Sequence, residues 1–170
     1  MKSEIDQLSD EQAQHALMIF YSSLPETLWG EHNKPQQSEL ESFAFELQDE
    51  SYDDAHAFLE KISNRNEDEL RGGLSKYILN DLYAIDPLKP LINNAIIKAK
   101  EPHMAPIPLV PLFALIAFLA VAPKEINRDD KGNISAKFGH LDDGAKFVNS
   151  MTDFVKSLPN SLKGLLKGMQ

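Results

Sequence analysis

The chain has 170 residues, of which 42% are hydrophobic and 25% charged, a composition that excludes an intrinsically disordered protein and predicts one domain with a core. Cysteine is absent, which excludes disulfides, thiolate-bound zinc, iron–sulfur clusters and a thiol nucleophile. Lys and Arg number 17 against 26 Asp and Glu, and the net charge of −9 disfavours nucleic acid as a partner, because phosphate backbones are repelled by a negative surface.

The charges are unevenly distributed along the chain. Residues 1–103 contain 9 basic and 20 acidic side chains, whereas residues 124–170 contain 8 and 6. We interpret the acidic part as a solvated surface. The N-terminus carries no apolar segment of the kind that a secretory signal requires, so we expect a soluble, cytoplasmic protein.

The first predicted helix runs from Asp10 to Ser23. Ser9 and Gln12 match a capping box, and apolar side chains recur at helical spacing after them. Pro25 ends the helix, because the residue before a proline is disfavoured in the helical conformation.

A connector over residues 25–37 contains the only tryptophan, Trp29, and is punctuated by glycine, asparagine and proline. The apolar spacing then predicts two further helices, over Gln36–Gln48 and Tyr52–Ser63.

Two consecutive glycines interrupt the next helical pattern. This helix is expected to begin near Asn66 and to be kinked or restarted at Gly72–Gly73, because each glycine costs about 1 kcal/mol relative to alanine in a helix interior. Asp86–Pro87 predicts a new helix that extends to about Lys100, since proline is favoured at the first helical position.

Residues 104–123 contain no charged or hydrogen-bonding side chain. Prolines divide this stretch into a Pro-rich connector (102–111) and a predicted helix, Pro111–Ala122, that is apolar on all sides. At about 1.5 Å per residue this helix reaches about 18 Å, which is short of the roughly 30 Å of a bilayer core. We interpret it as a central core helix, and the alternative is a segment that inserts into a membrane when the bundle opens.

The pattern changes after Pro123. Residues 125–138 predict a short β-hairpin, and helices are expected over 142–169 with a break at Pro159. Because runs of helices dominate and no alternation of strands and helices is present, the predicted fold is all-α. We expect residues 1–170 to form a single compact bundle of about seven or eight helices with this one hairpin.

The sequence contains no catalytic, phosphate-binding or zinc-binding motif. Asp53 and His56, or His56 and Glu60, can meet on one helix face at a spacing of three or four residues. Each pair supplies only two ligands, which is not enough for a metal site. Residues 127–138 match the start of a calcium loop and fail at Lys131 and Phe138, where oxygen ligands are required. We therefore expect no cofactor and no metal, and an enzyme with an unrecognised carboxylate or histidine site is the least favoured function.

Two features are candidates for binding a partner. Trp29 can act as an anchor for a partner. The last segment, Leu162–Met169, is amphipathic and locally cationic, and it is too short to be a stable helix alone in water. That segment must dock on its own bundle, on another protein or, least of all, on a membrane surface. We predict a non-enzymatic protein–protein interaction or regulatory module that binds another protein or a second copy of itself. The predicted partner-binding residues are Trp29, Leu162, Leu165, Leu166 and Met169.

Overall fold

A computed structural model describes residues 3–24, 38, 53–102, 107–121, 125–131, 134–137 and 144–167, and most of these residues are helical. The helices of these described residues are α1 (Asp10–Ser23), α2 (Asp53–Ser63), α3 (Asp68–Tyr83), α4 (Lys89–Ala99), α5 (Leu109–Val121), α6 (Gly144–Ser157) and α7 (Asn160–Lys167). A 3₁₀ turn, Asp86–Leu88, precedes α4. The all-α class is therefore confirmed.

Two short strands follow α5. Strand β1 (Glu125–Arg128) pairs antiparallel with β2 (Ile134–Lys137), and Asn127 lies opposite Ser135. The predicted connector with Trp29, the predicted helix over 36–48 apart from Ser38, and Met169 lie outside the described residues.

Helix α1 has the bounds and the cap that the sequence predicts. The hydroxyl of Ser9 accepts a hydrogen bond from the backbone N–H of Gln12 at 3.1 Å, and the Gln12 side chain accepts one from the Ser9 N–H at 2.9 Å. These two bonds satisfy backbone donors that the first turn of a helix leaves unpaired. Leu24, before the proline, is extended and ends the helix.

Helix α5 forms the centre of the core. Its side chains from Leu112 to Leu119 are all at most 6% exposed, and it contacts α1, α2, α3 and α6. The helix begins at Leu109, two residues before the predicted start, because a proline in the first turn removes no intrahelical hydrogen bond. Among the described residues, no helix is long and apolar enough to cross a bilayer.

Helix α3 runs without a break through Gly72 and Gly73, so the expected restart at Gly73 is wrong. Its first residue is Asp68 and its N-cap is Glu67, one residue after the expected Asn66, and this cap makes no side-chain hydrogen bond. A methyl group on Gly72 would overlap the Asp10 side chain at the start of α1. The absence of a side chain at this position lets α1 approach the backbone of α3. Asp10 also forms an ion pair with Lys76, one turn further along α3, at 3.0 Å.

A buried arginine joins α2 to α3. The guanidinium of Arg71 donates hydrogen bonds to the backbone oxygens of Ile62, Asn64 and Arg65, and to the carboxylate of Asp68. Arg71 is fully buried, and the acceptors around its two terminal nitrogens compensate for their lost hydration, whereas its Nε has no hydrogen-bond partner among the described residues. The same bonds satisfy carbonyls at the C-terminal end of α2, where a cation is also favoured by the helix dipole.

Substituting Gly72 with alanine tests the close approach of α1 and α3. We expect G72A to lower the free energy of unfolding by about 1–3 kcal/mol, because the new methyl group overpacks against an atom held close to the α1 backbone. Urea unfolding measures this change.

Gly164 in α7 provides the matched control, because, apart from the adjacent residues and the backbone of its own helix, no atom lies within 4 Å of the position that its methyl group would take. G164A is expected to raise the free energy of unfolding by up to about 1 kcal/mol through helix propensity alone. A G72A protein as stable as the parent chain would contradict the close approach.

Candidate interaction site

Helix α7 packs on α3, whereas α6 packs mainly on α2 and α5 and reaches α3 through one aromatic contact. Phe154 of α6 meets Tyr77 of α3 and Phe58 of α2 with ring centroids 6.0 and 6.2 Å apart, both in edge-to-face geometry. Helix α7 packs on α3 one turn away, at Gly73. Because residues four apart share a helix face, Gly73 and Tyr77 form one continuous contact stripe for α6 and α7.

A two-residue corner joins α6 to α7. Leu158 is buried at 2% exposure, and its N–H donates to the backbone oxygen of Val155 at 3.4 Å. Pro159 is exposed, and its oxygen accepts a hydrogen bond from the N–H of Lys163 at 2.9 Å, within the first turn of α7. The proline keeps α6 and α7 as separate helices, because it disfavours the helical conformation at Leu158.

Leu162 fixes the position of α7. Its side chain is 8% exposed and lies over Gly73, so that a methyl group on this glycine would be 2.5 Å from Leu162 Cδ2. The missing side chain of Gly73 therefore creates a notch in the surface of α3 that one leucine fills. We call Gly73, with the α3 surface around it, the Gly73 notch.

The other leucines of α7 are less completely covered. Leu165 and Leu166 are half-buried and pack against the edge of the core, whereas Leu162 is buried. Leu162, Leu165 and Leu166 thus share the apolar face that the sequence predicts, and the structure brings this face to α3. Their role in binding a partner stays a prediction, as do the roles of Trp29 and Met169.

One buried histidine is a second feature of chemical interest. His15 of α1 is 9% exposed, and its Nε2 has no hydrogen-bond partner among the described residues. Burial lowers the pKa of His15 below the ordinary value of 6.5, because the charged imidazolium loses hydration, and Glu11, one turn earlier, opposes this shift. The imidazole is therefore held neutral in the folded chain at pH 7.

No group of three or more His, Asp or Glu side chains in the described part of the chain is placed to hold a metal ion. Glu60, one member of the helix face considered above, is exposed.

Sequence reasoning missed the notch itself. In the sequence alone, Gly72 and Gly73 indicate a weak point of the helix, whereas in the structure both are contact points for other helices. The signal was present in part, because two adjacent glycines inside an otherwise helical, apolar pattern indicate close packing as well as a break. Nothing in the sequence indicates that the partner of Gly73 is Leu162.

No protein-family model, no curated protein and no solved structure matches the chain. The functional interpretation therefore depends on the geometry of α3, α6 and α7.

The buried His15 predicts that the chain loses stability in weak acid. Because the pKa of His15 is lower in the folded chain than in the unfolded chain, the unfolded chain binds the proton more readily. The stability that the neutral imidazole of His15 contributes is therefore complete above pH 6.5 and is lost as the pH falls towards the lowered pKa. We expect the melting temperature of H15Q to decrease less than that of the parent chain between pH 7 and pH 5.

The variant E11Q is the matched comparison for H15Q. It removes the carboxylate that favours the imidazolium, so we expect the acid-induced loss of stability to become larger. Thermal unfolding followed by circular dichroism measures both effects, and an H15Q protein with the same pH dependence as the parent would show that His15 does not contribute.

Proposed function

We propose that this chain is a non-enzymatic protein–protein interaction or regulatory module, with α7 as the element that contacts the partner. The partner is another protein chain, which α7 meets through its leucine face. As its scaffold we propose a single bundle of seven or eight helices over residues 1–170, with the hairpin at 125–138 and the C-terminal helices at 142–169. We also propose that the protein is located in the cytoplasm.

The unequal burial of the α7 leucines carries this proposal. Leu162 is buried in the Gly73 notch, but Leu165 and Leu166 on the same face stay half-buried. Covering the apolar surface of an amphipathic helix stabilises its docked state by about 25 cal/mol per Å². A partner that covers Leu165 and Leu166 would therefore gain the burial that α3 leaves incomplete.

The marginal stability of α7 also supports a role in binding. The helix has eight residues, and the side of Gly164 where a side chain would stand faces open space. Isolated helices shorter than about 12–15 residues are not stable in water, so α7 keeps its structure only while it is docked. Elements held by few contacts open more readily than the core, and binding segments are drawn from such elements.

The membrane-active alternative would depend on α5, which would have to leave the core. Its thirteen residues extend about 20 Å as a helix, less than the roughly 30 Å of a bilayer core. Release would also expose the side chains from Leu112 to Leu119, which are all buried, so we favour the interaction module. Trp29 stays a proposed second anchor that lies outside the described residues.

The double variant L165S/L166S separates partner binding from folding. Because both side chains are half-buried, we expect the melting temperature to change by only a few degrees, as for most substitutions near the surface. We expect proteins captured from an extract of the source cell to decrease at least fivefold, a loss of about 1 kcal/mol in binding. Quantitative mass spectrometry of the captured proteins measures this decrease.

The variant L162A is the matched control, since it changes the docked leucine. It is expected to lower the free energy of unfolding by about 2 kcal/mol or more, as buried Leu→Ala substitutions do. If L165S/L166S captures the same proteins in the same amounts as the parent chain, α7 is not the contact element and the proposal fails.

A further inference from the structure

We propose that the half-buried leucines of α7 bind an amphipathic helix of another protein that carries acidic residues beside its apolar face. This inference rests on the proposed role of α7 as the contact element, and it names the chemistry of the partner. The observation behind it is that lysines without an acidic partner among the described residues lie next to the leucines that α3 leaves half-buried.

Lysines follow one side of the leucine face of α7. Successive residues of a helix lie about 100° apart around its axis, so Leu166 is about 40° from the docked Leu162, and Lys163 is about 60° beyond Leu166. Lys167 comes one turn after Lys163, and α7 contains no acidic residue. We call Lys163 and Lys167 the lysine border of α7. A partner helix that covers Leu166 would therefore have its own flanking residues close to this border.

The lysines of this region lack acidic partners in the described part of the chain. Lys163 is half-buried, Lys156 at the end of α6 is exposed, and neither forms an ion pair with a described carboxylate. Between residues 61 and 100, in contrast, five basic side chains have a carboxylate oxygen within 3.6 Å. A half-buried ammonium group has lost part of its hydration, so a carboxylate placed beside it is attracted more strongly than by a fully hydrated lysine.

The charge of the last two helices also favours an acidic partner. Residues 144–167 contain 4 basic residues and 1 acidic residue, a balance of +3 within a chain of net charge −9. Charges more than about 8 Å away are largely screened at physiological ionic strength, so a single helix bound at α7 meets mainly this cationic segment. A flat anionic membrane would also face more distant, acidic parts of the chain. Charge complementarity therefore favours an acidic helix over a membrane surface.

Two synthetic peptides test the preference for an acidic helix. Both are about 18 residues long, which allows a helix to form on binding, and both carry leucines at helical spacing on one face. One peptide has glutamates beside this face, and the other has lysines at the same positions. Fluorescence anisotropy of the labelled peptides is measured as full-length protein is added. We expect saturable binding of the glutamate peptide, at least about tenfold tighter than binding of the lysine peptide.

The variant K163E/K167E tests whether the lysine border recognises the charge of the peptide. We expect it to bind the glutamate peptide at least about fivefold more weakly than the parent chain, because attraction becomes repulsion at two positions. The matched control is K98E/K131E, which makes the same change in net charge at two exposed lysines, one in α4 and one in the turn before β2. Its affinity for the glutamate peptide is expected to stay within about twofold of the parent value.

A salt titration of the parent chain replaces K163E/K167E if circular dichroism shows that this variant is unfolded. Raising the NaCl concentration from about 0.05 M to about 0.5 M is expected to weaken binding of the glutamate peptide at least about threefold, because salt screens the attraction. The inference is overturned if the glutamate peptide shows no saturable binding, if both peptides bind equally, or if NaCl leaves the affinity unchanged. Equal losses in K163E/K167E and K98E/K131E also overturn it.

Vesicles of phosphatidylcholine and phosphatidylserine test the membrane as the other anionic surface. Flotation of the parent chain with these vesicles, lost in K163E/K167E and without binding of the glutamate peptide, would assign the lysine border to a membrane. That result overturns the helical partner.

The outcome for L165S/L166S separates this inference from the proposed function. If this variant loses its captured proteins while both peptides bind the parent chain equally, α7 remains the contact element and its partner is not an acidic helix. If the glutamate peptide binds with the expected preference while L165S/L166S captures the same proteins as the parent chain, the lysine border binds acidic helices and the proposed function through the leucine face fails.

Discussion

Two adjacent helix positions without side chains organise the packing around α3. At Gly72 the N-terminal end of α1 lies against the α3 backbone, and at Gly73 the Leu162 side chain of α7 does. Successive residues of a helix point about 100° apart, so the two glycines serve two different neighbours. The loss of helix propensity at both positions, about 1 kcal/mol each, is offset by packing that larger side chains would prevent.

Helix α3 contacts helices from both the N-terminal and the C-terminal parts of the described chain. It contacts α1 on one side and α7 on another, and it covers α5, whose apolar surface needs neighbours all round. At its start, Arg71 binds carbonyl oxygens in the last turn of α2 and just after it, and so fixes the turn between α2 and α3. Helix α3 thus joins α1 and α2 to α7, whereas α6 is held by α2 and α5, and the notch lies on the surface of α3.

Local signals in the sequence predicted the elements that depend on local interactions. The Ser9–Gln12 capping box gave the start of α1, and the absence of polar side chains placed α5 in the core. The predictions were wrong where contacts between residues that are distant in the chain determine the local structure. Gly72–Gly73 indicates a break when the helix is considered alone, and no local pattern indicates that Arg71 binds the carbonyl oxygens at the end of α2. The face of α7 was predictable from spacing, but which leucine is buried depends on the position of Gly73, 89 residues earlier in the chain.

The central claim is that Gly73 and Leu162 are in direct contact, and a double-mutant cycle tests it most directly. G73A, L162A and the double variant are compared by urea unfolding. In the L162A background the new methyl group meets no leucine, so G73A is expected to stabilise the chain by up to about 1 kcal/mol through helix propensity. In the parent background that gain is expected to be reduced or reversed, with a coupling of at least about 0.5 kcal/mol between the two sites. Equal effects of G73A in both backgrounds would contradict the contact and the docking of α7 that depends on it.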